Sequence, residues 1–434
     1  MPRIALHTLG CKLNFAETGT LARALEGRGY TVVPFGEEAD VAILNTCAVT
    51  EEAERKCRQT VRRLLAAHPD TVVAVTGCYA QLRPQEIAAI EGVDLVVGTR
   101  EKADLVHRIE GLVKGERTQV EVSCIDGAEF SPASARGSRT RGFLKIQDGC
   151  DYTCAFCTIP QARGRSRSST VSAVVAEARR LADEGAREIV LSGVNIGLFG
   201  ADTGESLLEL LRELDTVDPI ARFRISSIEP NLLTDELIDF VAESRAFQPH
   251  FHVPLQSGDD QVLGAMRRRY RRQVFADRIA RIHQAMEYAA VGADVIVGFP
   301  GETPEQFENT ARFIEDLPLS YLHVFSYSER PGTASASLDA LAVDPRERSR
   351  RNRVLSLLSS RLHHSFAVRH SGTRREVLWE APSNGIITGF TDNYLRVRSS
   401  SDAYARGDIS TITLDRPGAD GSFETDPRAL PVLG

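Results

Sequence analysis

The first 120 or so residues alternate short apolar runs with stretches of helical period. The runs predict buried strands, since they are about four to eight residues long and end at turn residues: RIALHTLG, YTVVPF, DVAILNTC, TVVAVTGC and VDLVVGT. Helical patterns between them cover residues 15–28 and 51–67. This alternation predicts right-handed βαβ units and a mostly parallel sheet, an α/β domain over residues 1–122.

A second α/β series follows a stretch rich in Ser, Gly, Pro and Arg. That stretch, within residues 123–141, predicts a linker. The apolar runs after it predict six strands, with plausible helices such as 170–185 and 303–317 between them: FLKIQDG, EIVLSGVN, RFRISSIEP, FHVPLQSG, ADVIVGFPGE and LHVFSYSE. Six βα units predict an incomplete barrel over residues 142–368, with functional groups at the carboxyl ends of its strands.

The C-terminal part has an all-β pattern. It follows a charged helical stretch at Pro345–Arg369. Short runs separated by turns at SNG and TDN predict four strands: REVLWEA, GIITGF, YLRVRSS and ISTITLD. Strands this short, in a segment of this size, predict a small closed β-barrel over residues 369–434.

Composition narrows the class of protein. The 434 residues carry a net charge of −7, so any nucleic-acid contact must come from local patches rather than an overall basic field. No apolar run is long enough to span a membrane, and MPRIALHTLGC lacks the apolar core of a signal peptide, so we expect a cytoplasmic protein. Eight cysteines in that compartment indicate metal or redox chemistry rather than disulfides.

Three cysteines follow the first predicted barrel strand as C-x3-C-x2-C: Cys150, Cys154 and Cys157. Three thiolates on one loop can hold three irons of a [4Fe–4S] cluster. A structural zinc site normally takes four protein ligands, and no fourth Cys or His follows nearby in the sequence. The fourth iron would therefore be open to another ligand. A zinc loop or a plain electron-transfer cluster would also fit the spacing.

Three further cysteines each come directly after a predicted strand of the first domain: Cys11, Cys47 and Cys78. Because the carboxyl ends of parallel strands share one edge of the sheet, we expect these thiols to gather there. Gly10 and Gly77 permit the close turns. The pattern predicts a second three-thiolate cluster site. Cys57, on an apolar helix face, and Cys124 are interpreted as structural.

The C-x3-C-x2-C loop at a barrel mouth, with Phe156 before its last cysteine, resembles the radical S-adenosylmethionine (SAM) superfamily. A flavodoxin-like domain, a partial (βα)6 barrel and a small TRAM-like β-barrel together resemble the radical SAM methylthiotransferases, over nearly the whole chain. The resemblance implies SAM and two [4Fe–4S] clusters. It places SAM on the cluster of Cys150, Cys154 and Cys157, and sulfur insertion on the cluster of the first domain. It also implies an electron donor such as flavodoxin or ferredoxin.

The resemblance suggests contacts with SAM as well. The turn SGVN, with Gly193 and Asn195, occupies the place of the superfamily's glycine-rich turn after the second barrel strand. Candidates for further contacts with the cofactor are Phe156 on the cluster loop and, for ribose and methionyl groups at later strand ends, Ser227, Glu229, Gln256 and Ser257. Each strand-end residue could instead be a turn residue that is polar because strand ends are exposed to solvent.

The first cysteine loop separates branches of the family. TLGCKLNFAET is most similar to the branch that adds a methylthio group to C2 of N6-threonylcarbamoyladenosine, next to the anticodon of certain tRNAs. The branches acting on isopentenyladenosine and on a ribosomal-protein aspartate typically have GCQMN and GCPKN. Lys12 is thus the branch marker, and its cation could meet the substrate's carboxylate. The same motifs would also suit a different two-cluster radical SAM enzyme, or a non-enzymatic RNA-binding or electron-transfer protein.

Two local basic runs fit binding of a tRNA anticodon loop. IPQARGRSRSS is similar to the family's basic run, and AMRRRYRRQ clusters arginines around a tyrosine; the candidate contacts are Arg163, Arg165, Arg167, Arg267 and Arg268. Such runs pair with phosphates or form a solvated helix face. Residues 369–434 hold eight Arg against nine Asp and Glu, and their candidate RNA surface is the strand with Tyr394, Arg396 and Arg398.

Overall fold

The computed structural model describes residues 1–48, 51–115, 117–136 and 140–425. Its N-terminal domain has six strands: β1 (Arg3–Thr8), β2 (Thr31–Val33), β3 (Val41–Thr46), β4 (Val72–Gly77), β5 (Leu95–Val97) and β6 (Gln119–Glu121). Its helices are α1 (Lys12–Glu26), α2 (Glu51–Ala67), α3 (Cys78–Leu82), α4 (Pro84–Ala88) and α5 (Leu105–Ile109), with a 3-10 turn at Glu101–Asp104.

The six strands form one parallel sheet in the order β2-β1-β3-β4-β5-β6. The first five follow the flavodoxin-like order, as expected. Strands β3 and β4 are buried along their whole length because elements cover both faces of the sheet. Helix α1 begins at Lys12, earlier than its apolar pattern predicted, because the polar residues Asn14 and Glu17 are buried on its core side.

The central part has nine strands: β7 (Ala133–Ala135), β8 (Arg141–Lys145), β9 (Gln147–Asp148), β10 (Arg167–Ser168), β11 (Glu188–Ser192), β12 (Arg222–Ile225), β13 (His250–His252), β14 (Ala290–Val297) and β15 (Tyr321–Ser326). Its helices are α6 (Ile159–Arg163), α7 (Val171–Asp183), α8 (Leu207–Asp215), α9 (Asp235–Glu243), α10 (Asp260–Ala265), α11 (Arg272–Ala285), α12 (Pro304–Glu315) and α13 (Pro345–Arg369), with 3-10 turns at Ile196–Leu198 and Ala334–Leu341.

The six predicted barrel strands are confirmed and form two parallel groups. One sheet has the order β12-β11-β8-β7 and the other β13-β14-β15. Hydrogen bonds join the groups between β12 and β13, from the Phe223 N–H to the Ala246 carbonyl (2.8 Å) and from the Ile228 N–H to the His252 carbonyl (3.0 Å). The helices start where predicted: Thr303 and Gln306 form a reciprocal capping box on α12.

The Ser- and Pro-rich stretch predicted as a linker contains a strand. Strand β7 pairs antiparallel with β8 and is buried against α1 of the N-terminal domain. Small side chains explain both facts: Gly19 of α1 approaches Ala135 so closely that an added Cβ would lie 2.3 Å from the Ala135 Cβ. The stretch therefore joins the two domains by packing. Residues 137–139 of the predicted linker lie outside the described residues.

The C-terminal part forms a curled five-stranded sheet. Its strands are β16 (Arg374–Trp379), β17 (Ile386–Thr391), β18 (Arg396–Ser400), β19 (Ile409–Thr413) and β20 (Phe423–Glu424), in the order β19-β16-β17-β18-β20. Four of these are the predicted strands. Trp379 lies in the core of the sheet, stacked on Tyr404 with ring centroids 4.2 Å apart. Residues 426–434 of the predicted barrel lie outside the described residues.

Two buried arginines of β12 bind the C-terminal sheet to the barrel. Arg222 donates to the carbonyl oxygens of Glu376 (2.8 Å) and Phe390 (3.0 Å). Arg224 donates to the carbonyl oxygens of Thr391 (2.9 Å) and Asp392 (2.7 Å). The sheet is therefore fixed against the barrel at the beginning of β12. None of the described helices has the length and apolar character needed to cross a membrane.

We expect Arg222→Met to destabilise the C-terminal sheet by about 3 kcal/mol, since two partly buried carbonyls lose a donor. Urea unfolding followed by tryptophan fluorescence measures this directly, because Trp379 is the only tryptophan of the chain. The matched control is Arg312→Met, whose side chain is 73% exposed and pairs with Glu308 on the surface of α12; its effect should stay below about 1 kcal/mol. Equal effects of the two substitutions would contradict the anchoring role.

Candidate active site

One cavity of about 1300 Å³ lies between the carboxyl edge of the N-terminal sheet, the barrel mouth and the C-terminal sheet. Six of the eight cysteines line it: Cys11, Cys47, Cys78, Cys150, Cys154 and Cys157. The two predicted triads are thus brought to the same space, although 72 positions separate Cys78 from Cys150 in the chain. Cys57 is fully buried on α2, and Cys124 is exposed and contacts Asp126, so both lie apart from the six.

Close turns after β1, β3 and β4 place the first triad, Cys11, Cys47 and Cys78. Gly10 has a φ of +105°, and a Cβ there would lie 2.5 Å from the Cys47 Cβ, so only glycine lets these two loops touch. Asn14 ties the same loops together, because its Nδ2 donates to the carbonyls of Leu9 and Thr46, at 2.9 Å each. The loop positions are therefore fixed independently of any ligand.

The buried Arg163 links the first triad to the barrel. Its Nε donates to the Cys78 Sγ at 3.3 Å, and its Nη1 donates to Glu17 (2.9 Å) and Asp148 (3.0 Å). Burial alone would raise the pKa of Glu17, but Arg163, Lys102 and Lys145 outweigh it and hold that pKa well below its usual range. Both carboxylates are therefore ionised at neutral pH.

This buried ion network carries more positive than negative charge. It contains four cations and two carboxylates: Lys102, Lys145, Arg163, Arg167, Glu17 and Asp148. Of these cations, Arg163 contacts the first triad directly, through the Cys78 Sγ. Thiolates are the form that binds metal, and nearby cations favour that form. The electrostatics of this site thus suit an anionic metal–thiolate group.

The second triad, Cys150, Cys154 and Cys157, accepts hydrogen bonds from backbone and side-chain N–H groups. The backbone N–H of Tyr152 donates to the Cys150 Sγ and that of Ile159 to the Cys157 Sγ, both at 3.4 Å. Arg268 donates through Nη1 to the Cys154 Sγ at 3.2 Å. Burial raises the pKa of all three free thiols, that of Cys157 to about 12. Metal binding would therefore displace three protons here.

The spread of the sulfur atoms fits a cluster better than a single ion. Among the described residues, in neither triad do all three sulfurs lie within 4.8 Å of one another. Sulfurs sharing one tetrahedral zinc would be only about 3.8 Å apart, given the usual Zn–S bond length. Three thiols around a wider space are the donor set of a [4Fe–4S] cube with one iron left open.

Most candidate SAM contacts face the cavity beside the second triad, namely Phe156, Gly193, Asn195, Ser227, Glu229 and Gln256. The space around Gly193 leaves no room for a side chain, since a Cβ there would lie 2.6 Å from the Ile196 Cγ2. Asn195 lies with its Nδ2 3.8 Å from the Cys150 Sγ, and its Oδ1 is buried with no hydrogen-bond partner among the described residues. An acceptor without a donor at this place fits an incoming ammonium group.

Ser257 does not face the cavity. It is fully buried behind the wall, where its hydroxyl lies 3.1 Å from the Thr310 Oγ1 and accepts from the Asp259 N–H at 3.2 Å. A cofactor contact was expected there, and the structure gives Ser257 a role in fixing a loop. Glu229 does line the cavity, but it is paired with Arg268.

The predicted RNA contacts divide into two groups. Arg165, with an 89% exposed side chain, and Arg267 are open to solvent. Arg163, Arg167 and Arg268 are held inside by ion pairs and do not lie on the surface, and their contact with RNA stays a prediction. The basic runs in the sequence do not reveal this difference, because it depends on which carboxylates the fold brings near. Lys12 lines the cavity beside Cys11.

A group of polar residues on β13, β14 and β15 also lines the cavity and was missed from the sequence. Its members are His250, His252, Asp294, Tyr321 and His323. The signals were present but weak. The histidines of HFH alternate along one strand and so share a face, and Asp294 is a lone carboxylate within the apolar run ADVIVG.

Comparison with known proteins follows the same division of the chain. Residues 3–98 match the model of the uncharacterized protein family UPF0004, and residues 144–314 match the radical SAM superfamily. The chain is 41% identical to the threonylcarbamoyladenosine tRNA methylthiotransferase MtaB of Bacillus subtilis, over 92% of this chain and 90% of the relative. It is 35% identical to the protein of the same name in Aquifex aeolicus, over 91% and 96%.

A solved structure shares the fold. It is a radical S-adenosylmethionine methyltransferase, TsrM, from Kitasatospora setae, with cobalamin and a [4Fe–4S] cluster bound. The match has a TM-score of 0.55 and 16% sequence identity, and covers 89% of this chain and 81% of that one. The radical SAM fold with a parallel-sheet domain before it is therefore shared.

We expect Arg163→Met to lower the free energy of unfolding by about 3 to 5 kcal/mol, since it removes one ion-pair partner from each of two buried carboxylates. Arg165→Met, two residues on, is the matched control and should change it by less than about 1 kcal/mol, because Arg165 is exposed. Urea unfolding followed by circular dichroism measures both. A small effect of Arg163→Met would mean that the network does not hold the domains together.

Proposed function

The chain belongs to the family of threonylcarbamoyladenosine tRNA methylthiotransferases, and we propose from this premise that it adds a methylthio group to C2 of N6-threonylcarbamoyladenosine beside the anticodon of tRNA. The observation that carries the proposal is the single cavity lined by two cysteine triads. A reaction that both activates a C–H bond and inserts sulfur needs two cofactor sites facing one substrate. One shared space satisfies that requirement.

Each triad would hold one [4Fe–4S] cluster, and the residues of each site suit that role. The triad of Cys11, Cys47 and Cys78 is contacted by Arg163 of the ion network, through the Cys78 Sγ. Cys150, Cys154 and Cys157 lie beside Asn195, which would orient the ammonium group of SAM. When bound, the clusters and SAM supply the electron, the hydrogen-abstracting radical and the methylated sulfur.

The chain's own residues hold the reacting groups together and exclude water. Arg163 bonds both Cys78 and Asp148, two residues before Cys150, so it fixes the separation of the two triads. The C-terminal sheet, held by Arg222 and Arg224, forms another wall of the cavity. A closed, mostly apolar space protects a carbon radical from solvent.

The RNA would contact the exposed basic residues and the C-terminal sheet. We assign residues 1–122 to the methylthiotransferase domain, 123–141 to a connecting segment, 142–368 to the radical SAM barrel and 369–434 to a TRAM-like domain. Arg165 and Arg267 would pair with phosphates, while the target adenine turns into the cavity. An enzyme of tRNA acts in the cytoplasm, where a flavodoxin or ferredoxin would donate electrons.

The cluster assignment predicts the iron content. Anaerobically reconstituted protein should hold about eight irons and eight sulfides, and the triple substitution of Cys11, Cys47 and Cys78 by Ala about four of each. Cys57→Ala and Cys124→Ala are the matched controls, since neither residue lines the cavity, and they should keep all eight. Iron and sulfide analysis measures the outcome; loss of iron in either control would contradict the assignment.

The activity is tested with tRNA that carries N6-threonylcarbamoyladenosine, SAM and a reductant, under anaerobic conditions. Mass spectrometry of the nucleosides should show the 2-methylthio product. Cys11→Ala should abolish it and leave formation of 5′-deoxyadenosine largely intact, because the second triad is unchanged. Absence of 5′-deoxyadenosine with the wild type would rule out the radical reaction. Product only on isopentenyladenosine, or only on a ribosomal protein, would redirect the proposal to another branch.

A further inference from the structure

The wall of the cavity formed by β13, β14 and β15 carries a connected polar group, here called the histidine wall: His250, His252, Asp294, Tyr321 and His323. Asp294 and His323 are register partners on neighbouring parallel strands, so their side chains share a face. The Asp294 Oδ1 lies 2.9 Å from the His252 Nε2 and 3.3 Å from the His323 Nδ1. Tyr321 extends the chain, with its hydroxyl 2.9 Å from the His250 Nε2.

The histidine wall keeps two ring nitrogens uncommitted. The His250 Nδ1 is buried and has no hydrogen-bond partner among the described residues. Since Asp294 binds the His323 Nδ1, the Nε2 on the other side of that ring remains for another group, and the ring is 57% exposed. Asp294 stays ionised, because the two histidines outweigh burial and lower its pKa. The histidine wall is thus polar, and on its cavity side it keeps ring nitrogens that can still form hydrogen bonds.

Lys12 faces the same space from the N-terminal domain. It is the residue after Cys11, and its ammonium group has no hydrogen bond or ion pair among the described side chains. It lies near enough to Asp294, Arg141 and Arg224 for their charges to act on it. A lysine without a partner beside a cavity is the usual way in which a protein presents a positive charge to a ligand.

Three other charged groups around this space already have partners. Arg141 pairs with Glu380, and Arg224 pairs with Glu188 at 3.0 Å. Asp294 is bonded to two histidines. Lys12 and Arg396 are the cations of this lining without an ion pair among the described residues, and Lys12 is the one beside Cys11. A ligand that completes the site brings one negative charge for Lys12 and small polar groups for the wall.

We propose that Lys12 and the histidine wall form the subsite for the threonyl group of the modified adenosine, with Lys12 on its carboxylate and the His323 Nε2 on its hydroxyl. The inference rests on the proposed function. The chemistry places the subsite here: the threonylcarbamoyl arm leaves the purine at C6, two ring bonds from C2, and C2 must meet sulfur at the Cys11 triad. A cation next to Cys11 is therefore within the short reach of that arm.

The test compares two anticodon stem-loops that differ only in charge. One carries N6-threonylcarbamoyladenosine and the other its threonyl methyl ester, which is neutral. We expect the wild type to bind the carboxylate form about 10- to 100-fold more tightly, as for a charge-assisted hydrogen bond. Fluorescence anisotropy measures the binding, and kcat/KM for methylthiolation should follow the same ratio.

Lys12→Met should weaken binding of the carboxylate form to the level of the ester and leave the ester unchanged. Lys12→Arg should recover part of the preference, since it keeps the charge. His323→Phe should weaken both forms alike, because both keep the hydroxyl. Lys56→Met, on the exposed side of α2, is the matched control and should behave as wild type. The iron content of each variant must equal that of the wild type, which shows that Cys11 still binds its cluster.

Three outcomes would overturn the subsite. In the first, Lys12→Met weakens both stem-loops equally. In the second, the wild type does not distinguish them. In the third, the protein holds a further divalent metal that Asp294→Asn removes, which would make His252, Asp294 and His323 a metal site. Failure of the proposed function looks different: 5′-deoxyadenosine forms, but the wild type gives no methylthio product from the carboxylate stem-loop.

Discussion

The contact between Arg163 and its two carboxylates is the interaction on which the rest of this structure depends. Glu17 belongs to the N-terminal domain and Asp148 to the barrel, both are buried, and Arg163 pairs with each of them. Arg163 therefore links the two domains, and its Nε also donates to the Cys78 Sγ. Two α/β domains, each of which could pack in several ways, are thereby fixed in the one arrangement that makes their strand ends face each other.

Strand topology explains why the cysteines were predictable. A parallel sheet collects the residues that follow its strands, so Cys11, Cys47 and Cys78 could be grouped from apolar runs alone. Burial of the polar residues Asn14 and Glu17 concealed the start of α1 from the same pattern. Strand β7 was missed because three small residues in a Ser- and Pro-rich context resemble a loop until the close approach of Gly19 is known.

The sequence did not allow a prediction of which arginines are buried and which are exposed, and the reason is physical. Arg163 and Arg165 are two residues apart in one basic run, yet one is buried and the other is exposed. Only the position of Glu17, 146 residues away from Arg163 in the chain, decides between them. The histidine wall depends in the same way on the register of β14 and β15, which aligns Asp294 with His323. Single-strand patterns carry no information about such register.

The ion network also limits where a substrate can enter the cavity. Separating the N-terminal domain from the barrel would take Arg163 and Lys145 away from the buried Glu17 and leave it with Lys102 alone, so that side of the cavity resists opening. The opposite rim is bordered by Tyr394 and Arg396 of the C-terminal sheet. The polynucleotide of the proposed function would therefore approach past the C-terminal sheet rather than through the interface between the two domains.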